Sequence, residues 1–270
     1  MLSKINDAVS YIKSKYNVPP ETGIVLGSGL GSFTNEITIE AEIAYSDIPH
    51  FAVSTVQGHS GKLIFGTLGG KKIVAMAGRF HFYEGYSPED VVFPIRVMKF
   101  LGIRNLFLSN AAGAMNSSFK VGDLMIITDH ISMFAANPLI GKNIDELGTR
   151  FPDMSEPYDR EFIQKAGAIA TKAGYDIKYG VYVGVTGPTF ETRAEYKMLK
   201  VLGADTVGMS TVQEVIAAVH MGLPVFAMSV VTDIGIRDDD NVITHEEVLA
   251  AAKEAEPKLT HIFKELVAQI

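Results

Sequence analysis

The sequence predicts an α/β fold, a largely parallel or mixed sheet covered by helices on both faces. Three observations predict it. Short apolar, β-branched runs recur along the chain with helical patterns between many of them, as crossover-built sheets require. Hydrophobic residues make up 47 % of the 270 positions, enough for a sizeable core. No composition shift, internal repeat or low-complexity tract divides the chain, so one large domain is expected rather than two small ones.

The opening stretch, MLSKINDAVSYIKSKY, places Leu2, Ile5, Val9 and Ile12 on one helical stripe. It lacks the continuous apolar core and small-residue cleavage site of a secretory leader, which points to a cytoplasmic protein. Strands are expected over 23–26, 62–67, 73–77, 105–110, 123–129, 179–185, 206–208 and 225–231. Helices are expected over 88–101, 160–173, 191–202, 211–221 and 244–270. The longest apolar stretch, VIAAVHMGLPVFAMSVV, contains His220 and the breaker Gly222-Leu223-Pro224. It reads as a helix end, a turn and a buried strand, not a membrane span. From 133 to 158 no periodicity holds, and Pro, Asn, Gly and charge dominate. So long a connection in a compact domain suggests a lid or a subunit contact.

Composition narrows the chemistry. The formal net charge is -7 and no Lys/Arg-rich block appears, so nothing favours binding to a nucleic-acid backbone. Cysteine is absent, which removes disulfides, thiolate nucleophiles and Cys-ligated metals. The seven histidines have no paired ligand spacing, and IRDDDN (236–241) lacks the spacing of a calcium loop. No G-x-S-x-G elbow supports a serine nucleophile. No bound metal is expected.

Several short stretches carry candidate site residues. In VLGSGLGSF (25–33), small residues let backbone N–H groups approach an anion and Ser28 adds a hydroxyl; a plain tight turn is the alternative. The spacing is not that of a dinucleotide fingerprint, whose last glycine is absent, and the Gly-Lys-Ser/Thr of a triphosphate loop is missing too. GHSG (58–61) sets His59 between small residues on a turn. GRFHFYEGY (78–86) follows the apolar run KKIVAMA, so Arg79 and His81 stand just past a strand end, the edge where α/β sheets bind ligands. Arg79 can clamp an oxyanion with paired donors, His81 can add another, and Tyr83 offers a flat face with a hydroxyl tip. LSNAAGAM (108–115) reads as a strand ending in small residues whose N–H groups could face an anion. In TGPTFETRAE (186–195), Phe190 offers a stacking face and Glu191 starts a helix, as a cap of its dipole or as a ligand group. Ser210 precedes a helix and is either its N-cap or a site hydroxyl. Asp233 follows a buried strand. Thr244 and Glu247 form a capping box, which leaves His245 less easily explained as structural.

Taken together these stretches resemble the trimeric purine nucleoside phosphorylases. The matching residues are GSGLG (27–31), GHSG (58–61), GRFHFYEGY (78–86), NAAG (110–113), DH (129–130) and NPL (137–139). RFPDMSEPYD (150–159), TGPTFET (186–192), GMST (208–211) and HEEV (245–248) continue the series in order over almost the whole chain. The resemblance implies a single α/β domain over 1–270 with a central mixed β-sheet flanked by helices. It implies a homotrimer, no cofactor, and inorganic phosphate as co-substrate. By resemblance, Ser28, Arg79, His81, the Ala111 N–H and Ser210 bind phosphate, and His59 closes over it. Tyr83 and Met209 line the ribose, and His245 reaches the 5′-hydroxyl. Phe190, Glu191 and Asp233 hold the purine, and Phe151 is lent by a neighbouring subunit. The implied reaction is reversible phosphorolysis of purine (2′-deoxy)ribonucleosides, inosine and guanosine first.

Two residues depart from the family pattern. Asp233 stands where the family usually has Asn. An ionised carboxylate only accepts, which suits a 6-amino group and faces a 6-oxo group badly. Either Asp233 is protonated, or waters intervene, or base selectivity is altered. Ala114 stands where a second Gly is common. The related methylthioadenosine phosphorylases, or an adenosine-preferring enzyme, are the runner-up reading. A cofactor-dependent oxidoreductase and a non-catalytic nucleoside-binding module are alternatives from other classes.

Overall fold

The computed structural model describes residues 1–53, 60–134, 136–236 and 244–270. The chain opens with α1 (Leu2–Lys15), whose Ile5, Ala8, Val9 and Ile12 are buried as the helical stripe requires. β1 (Thr22–Val25) is buried throughout and pairs in parallel with β4 (Lys71–Ala77) and β5 (Asn105–Ala114). Such two-sided burial explains its unbroken apolar run. Beyond β4, the strands β3 (Lys62–Leu68) and β2 (Thr38–Ala44) extend the sheet antiparallel. The other half holds β6 (Leu124–Ser132), β7 (Ile177–Gly184), β8 (Thr206–Gly208) and β9 (Val225–Ile234). Among the described residues the order is β2-β3-β4-β1-β5-β8-β7-β6-β9, and a further pairing of β5 with β9 closes the last five strands on themselves.

Helices cover both faces of this mixed sheet, as the sequence leads one to expect. α2 (Pro88–Leu101) and α5 (Val212–His220) join α1 over a core that includes Val25, Val74 and Leu108. α3 (Arg160–Lys172) and α6 (His245–Ala268) cover the opposite face. There Phe107 of β5 makes edge-on contacts with Phe162, Phe226 and Phe263 at 5.6, 5.5 and 5.5 Å between ring centres. α4 (Arg193–Val201) packs Tyr196 and Leu199 against Val183 and Val207. No helix among the described residues is long and apolar enough to cross a membrane.

Several boundaries differ from expectation. β5 runs to Ala114 and β9 to Ile234, past the predicted ends at 110 and 231, because the two strands go on pairing with each other up to Ala114 and Ile234. The small residues of LSNAAGAM and the acid Asp233 therefore lie in strands, not in terminal turns. A register break between Ala112 and Gly113 re-aims the strand at that point, as bulges beside binding sites do. α4 starts at Arg193 with Thr192 as its cap, so Glu191 stands ahead of the helix rather than in its first turn. The cap of α5 is Thr211, so Ser210 is not the N-cap. β2 was not expected. It is an edge strand whose one buried residue is Ile43, and its Glu40 and Glu42 pair with Lys72 and Lys62 of the neighbouring strands. Thr244 and Glu247 form the predicted box at the start of α6. His59 and most of the acidic run at 236–241 lie outside the described residues.

The Phe107 cluster ties both halves of the sheet to α3 and α6. Phe107→Ala should lower stability by about 3–5 kcal/mol, read as a lower urea midpoint with an unchanged slope. A midpoint equal to that of the native chain would show that this cluster is not a cornerstone of the core.

Candidate active site

The carboxyl ends of the parallel strands β1 and β4 deliver Ser28 and Arg79 to one edge of the sheet. β8 runs antiparallel to β5, with Val207 opposite Gly113, so the chain leaves β8 heading back along β5. That path sets Met209 and Ser210 close to Asn110 and Ala111. The result is an open pocket whose lining includes Ser28, Arg79, His81, Tyr83 and Ala111, with Phe190, Glu191, Met209, Ser210, Asp233 and His245 also on its wall. The sequence-predicted site residues thus meet in one place, apart from His59, outside the described residues, and Phe151. Phe151 is 85 % exposed, stacked by the Arg150 guanidinium at 5.5 Å, and lines a separate groove with Ile140 and Met154.

One end of the pocket is built around Arg79, which is 1 % exposed. Its Nε–H donates to Glu214 Oε1 at 3.2 Å, and its Nη1 donates to the Ser109 carbonyl at 2.8 Å and to Ser210 Oγ at 3.1 Å. Glu214 Oε2 accepts the Thr211 N–H at 3.2 Å. Thr211 has φ +70 and ψ -55, the centre of a γ-turn closed by the Val212 N–H on the Ser210 carbonyl at 2.8 Å, a strained conformation that a β-branched residue seldom adopts. Its hydroxyl accepts from Asn110 Nδ2 at 2.9 Å. The glycine loop is held from two sides. Gly27 N–H donates to Ser109 Oγ at 3.2 Å, and buried Glu256 of α6 accepts the Phe33 N–H at 2.8 Å. Gly29, at φ +76, leaves no room for a side chain, since a Cβ there would stand 2.7 Å from that of Ala252.

His81 stacks on Tyr83 with ring centres 4.7 Å apart. Its Nδ1 lies 3.2 Å from Glu84 Oε1, which also accepts the His81 N–H at 2.8 Å. Burial pushes the His81 pKa below its ordinary value, against the pull of Glu84, so the ring is neutral at pH 7. The carboxylate beside Nδ1 assigns the proton to that nitrogen, which leaves a lone pair on Nε2. Such a nitrogen can accept the O–H of a hydrogen phosphate. Tyr83 is pushed up to about 12, chiefly by burial, and keeps its hydroxyl proton.

The other end is acidic. Phe190 is 41 % exposed and offers its ring at the mouth. Burial pushes the Glu191 pKa up, aided by the charges of Asp233 and Glu195. Asp233 is buried in β9, where Oδ2 accepts from the Tyr196 hydroxyl at 3.1 Å and Oδ1 lies 3.1 Å from Thr232 Oγ1. Among the described residues no cluster of His, Asp and Glu could hold a metal ion.

Sequence reasoning missed Glu84, Glu214, Tyr196 and Glu256. The Thr-x-x-Glu spacing at 211–214 could have flagged Glu214 as a capping-box acid. No local signal announces Tyr196, whose partner Asp233 lies 37 residues away.

The chain matches the Phosphorylase superfamily over residues 21–268. It is 48 % identical over 263 residues to purine nucleoside phosphorylase 1 of Geobacillus stearothermophilus, covering 97 % of this chain and 96 % of that protein. The Bacillus subtilis protein of the same name is 47 % identical over 269 residues, covering 100 % and 99 %. The chain belongs to the purine nucleoside phosphorylase family. The purine nucleoside phosphorylase of Schistosoma mansoni, solved in complex with adenosine, superposes with a TM-score of 0.94 at 43 % identity, covering 100 % of this chain and 98 % of that one. The same enzyme in complex with inosine gives 0.94 at 42 %, covering 100 % and 97 %. As a purine nucleoside phosphorylase the chain is a pentosyltransferase that cleaves purine nucleosides with inorganic phosphate as co-substrate.

Because Arg79 is buried against Glu214, removing its charge would unsettle the fold as well as the site. Arg79→Lys keeps the charge and loses the planar fork. It should raise the KM for phosphate about 10–100-fold, the loss of one or two charge-assisted bonds at about 1.5–3 kcal/mol each, with circular dichroism unchanged. Native phosphate kinetics in this variant would remove Arg79 from the anion site.

Proposed function

We propose that Ser28, Arg79, His81, the Ala111 N–H and Ser210 cradle the phosphate. His59 closes over it, and Tyr83, Met209 and His245 hold the ribose, His245 at the 5′-hydroxyl. Phe190, Glu191 and Asp233 hold the purine. The observation that carries this reading is the polarity of one pocket, with a buried guanidinium at one end and two carboxyl groups at the other. Phosphate attacks the anomeric carbon as the glycosidic C–N bond breaks, and the base leaves with the bonding pair. The ribose inverts to α-ribose 1-phosphate. Phosphate is itself the nucleophile, so the protein's task is to hold it in line, and positioning supplies much of the rate.

Inosine and guanosine are the expected substrates through Glu191, whose carboxylate accepts from N1–H and the guanine 2-amino group. Asp233 supports adenosine beside them, since an acceptor there meets the 6-amino group. The Schistosoma mansoni relative, crystallised with adenosine and with inosine, lends support to a site that takes both. Methylthioadenosine is disfavoured because His245 lines the pocket, where a polar hydroxyl suits it better than a thioether. Phosphorolysis of inosine, guanosine, adenosine and methylthioadenosine, with and without phosphate, tests the reading. Base release that ignores phosphate would end it. Asp233→Asn should lower the efficiency ratio of adenosine to inosine about tenfold, because the amide can donate to a 6-oxo group. An unchanged ratio would mean that position 233 does not read the 6-substituent.

The working unit in this proposal is a cytoplasmic homotrimer whose subunits, each one catalytic domain over 1–270, share their sites. Support comes from Phe151, Ile140 and Met133, large apolar side chains exposed on or beside the irregular segment. Phe151 would cover the nucleoside of the adjacent subunit. Phe151→Ala should raise the nucleoside KM about tenfold through lost aromatic contact while the phosphate KM and the sedimentation of the trimer stay put. Nucleoside kinetics indifferent to this change, or an active monomer, would refute the shared site.

A further inference from the structure

Tyr196 stands on the first turn of α4, buried, and lines the same pocket as Glu191 and Asp233. Its hydroxyl donates to Asp233 Oδ2 at 3.1 Å. The backbone around it is cut to fit. A Cβ at Gly235 would stand 2.0 Å from the tyrosine ring, and one at Gly113 would stand 2.8 Å from its hydroxyl and 2.7 Å from Asp233 Oδ2. A side chain at either glycine is incompatible with this arrangement.

A phenol carries one proton and makes one donated bond. Burial, with the charges of Asp233 and Glu191, pushes the phenol far above its ordinary value, so it remains a donor. Its proton lies on the bond to Asp233 and keeps that carboxylate an acceptor.

We propose that Tyr196 is a specificity-determining residue, whose donated hydrogen bond holds Asp233 as an acceptor, the partner complementary to a 6-amino group. The proposal rests on the reading that Glu191 and Asp233 face the purine edge. Adenine offers an acceptor at N1 and a donor at its 6-amino group. Hypoxanthine offers a donor at N1 and an acceptor at O6. O6 of inosine therefore requires Asp233 to take up a proton from solvent and the tyrosine hydroxyl to turn away from it. Tyr196 opposes that rearrangement and so biases the site towards adenosine.

The test is a double-mutant cycle read in the ratio of kcat/KM for adenosine to that for inosine. Tyr196→Phe, which keeps the ring in its glycine cradle, should lower this ratio about tenfold, the worth of one hydrogen bond to a charged group. In the Asp233→Asn background the same change should move it by less than about twofold, the limit of independent behaviour. Tyr196→Met, of similar bulk and without a donor, gives a second reading should the first variant fold poorly. A ratio unmoved or raised by Tyr196→Phe overturns the proposal, as does an equal shift in the Asp233→Asn background, which a merely structural role would produce. If the native protein releases no base from either nucleoside in the presence of phosphate, the reading beneath the proposal falls instead.

Discussion

The buried ion pair between Arg79 and Glu214 is the interaction on which the site depends. Both side chains are almost wholly shielded from water, at 1 % and 3 % exposure, and desolvating two such charges is costly. The geometry repays that cost by using each group several times. The guanidinium reaches Glu214, the Ser109 carbonyl and Ser210, while the carboxylate also holds the Thr211 N–H. One pair therefore fastens the end of β4 to the middle of β5, the exit of β8 and the first turn of α5. Glu214 stands where the positive end of a helix favours an anion. The strained γ-turn at Thr211 persists because these bonds, and the one from Asn110, over-determine it. Losing either partner would strand a buried charge at a cost of about 3–5 kcal/mol.

Opposite chemistries share the cleft. Near Arg79 the protein has spent its own hydrogen bonds on rigidity, with Glu84 fixing His81 and Glu256 fixing the segment behind the glycine loop. Near Asp233 it has gathered acids instead: the Tyr196 hydroxyl donates to Asp233, and Glu191 lines the same wall. Burial and the charge of Asp233 push the Glu191 pKa up. One pocket thus holds a buried cation in one part of its wall and carboxyl groups in another.

Much of this was legible in the sequence because it is local. Apolar runs announced β1, β4 and β9, a helical stripe announced α1, and Thr244 with Glu247 announced the start of α6. The strand end before Arg79 and His81 pointed to a ligand edge without any knowledge of what lies opposite. What could not be read is tertiary. Glu214 meets Arg79 across 135 residues of chain, and nothing near position 214 says so beyond a capping spacing. β5 and β9 overran their predicted ends because each supplies the other's hydrogen-bond partners, a fact of pairing rather than of composition. β2 escaped notice because an exposed edge strand carrying Glu40 and Glu42 leaves no apolar run.

The contrast in burial along the cleft has a consequence for how such a site can change. Arg79 is 1 % exposed, Tyr196 2 % and Asp233 8 %, whereas Phe190 is 41 % exposed. A substitution at Arg79 disturbs four elements at once, so that part of the wall is bound to the stability of the fold. Tyr196 is equally confined, since a Cβ at Gly113 or Gly235 would meet its hydroxyl or its ring, and it fixes Asp233 by one hydrogen bond. Groups held this way lose little in reorganisation during a reaction. Phe190, with its ring open to solvent, is the wall residue whose substitution disturbs the surrounding packing least.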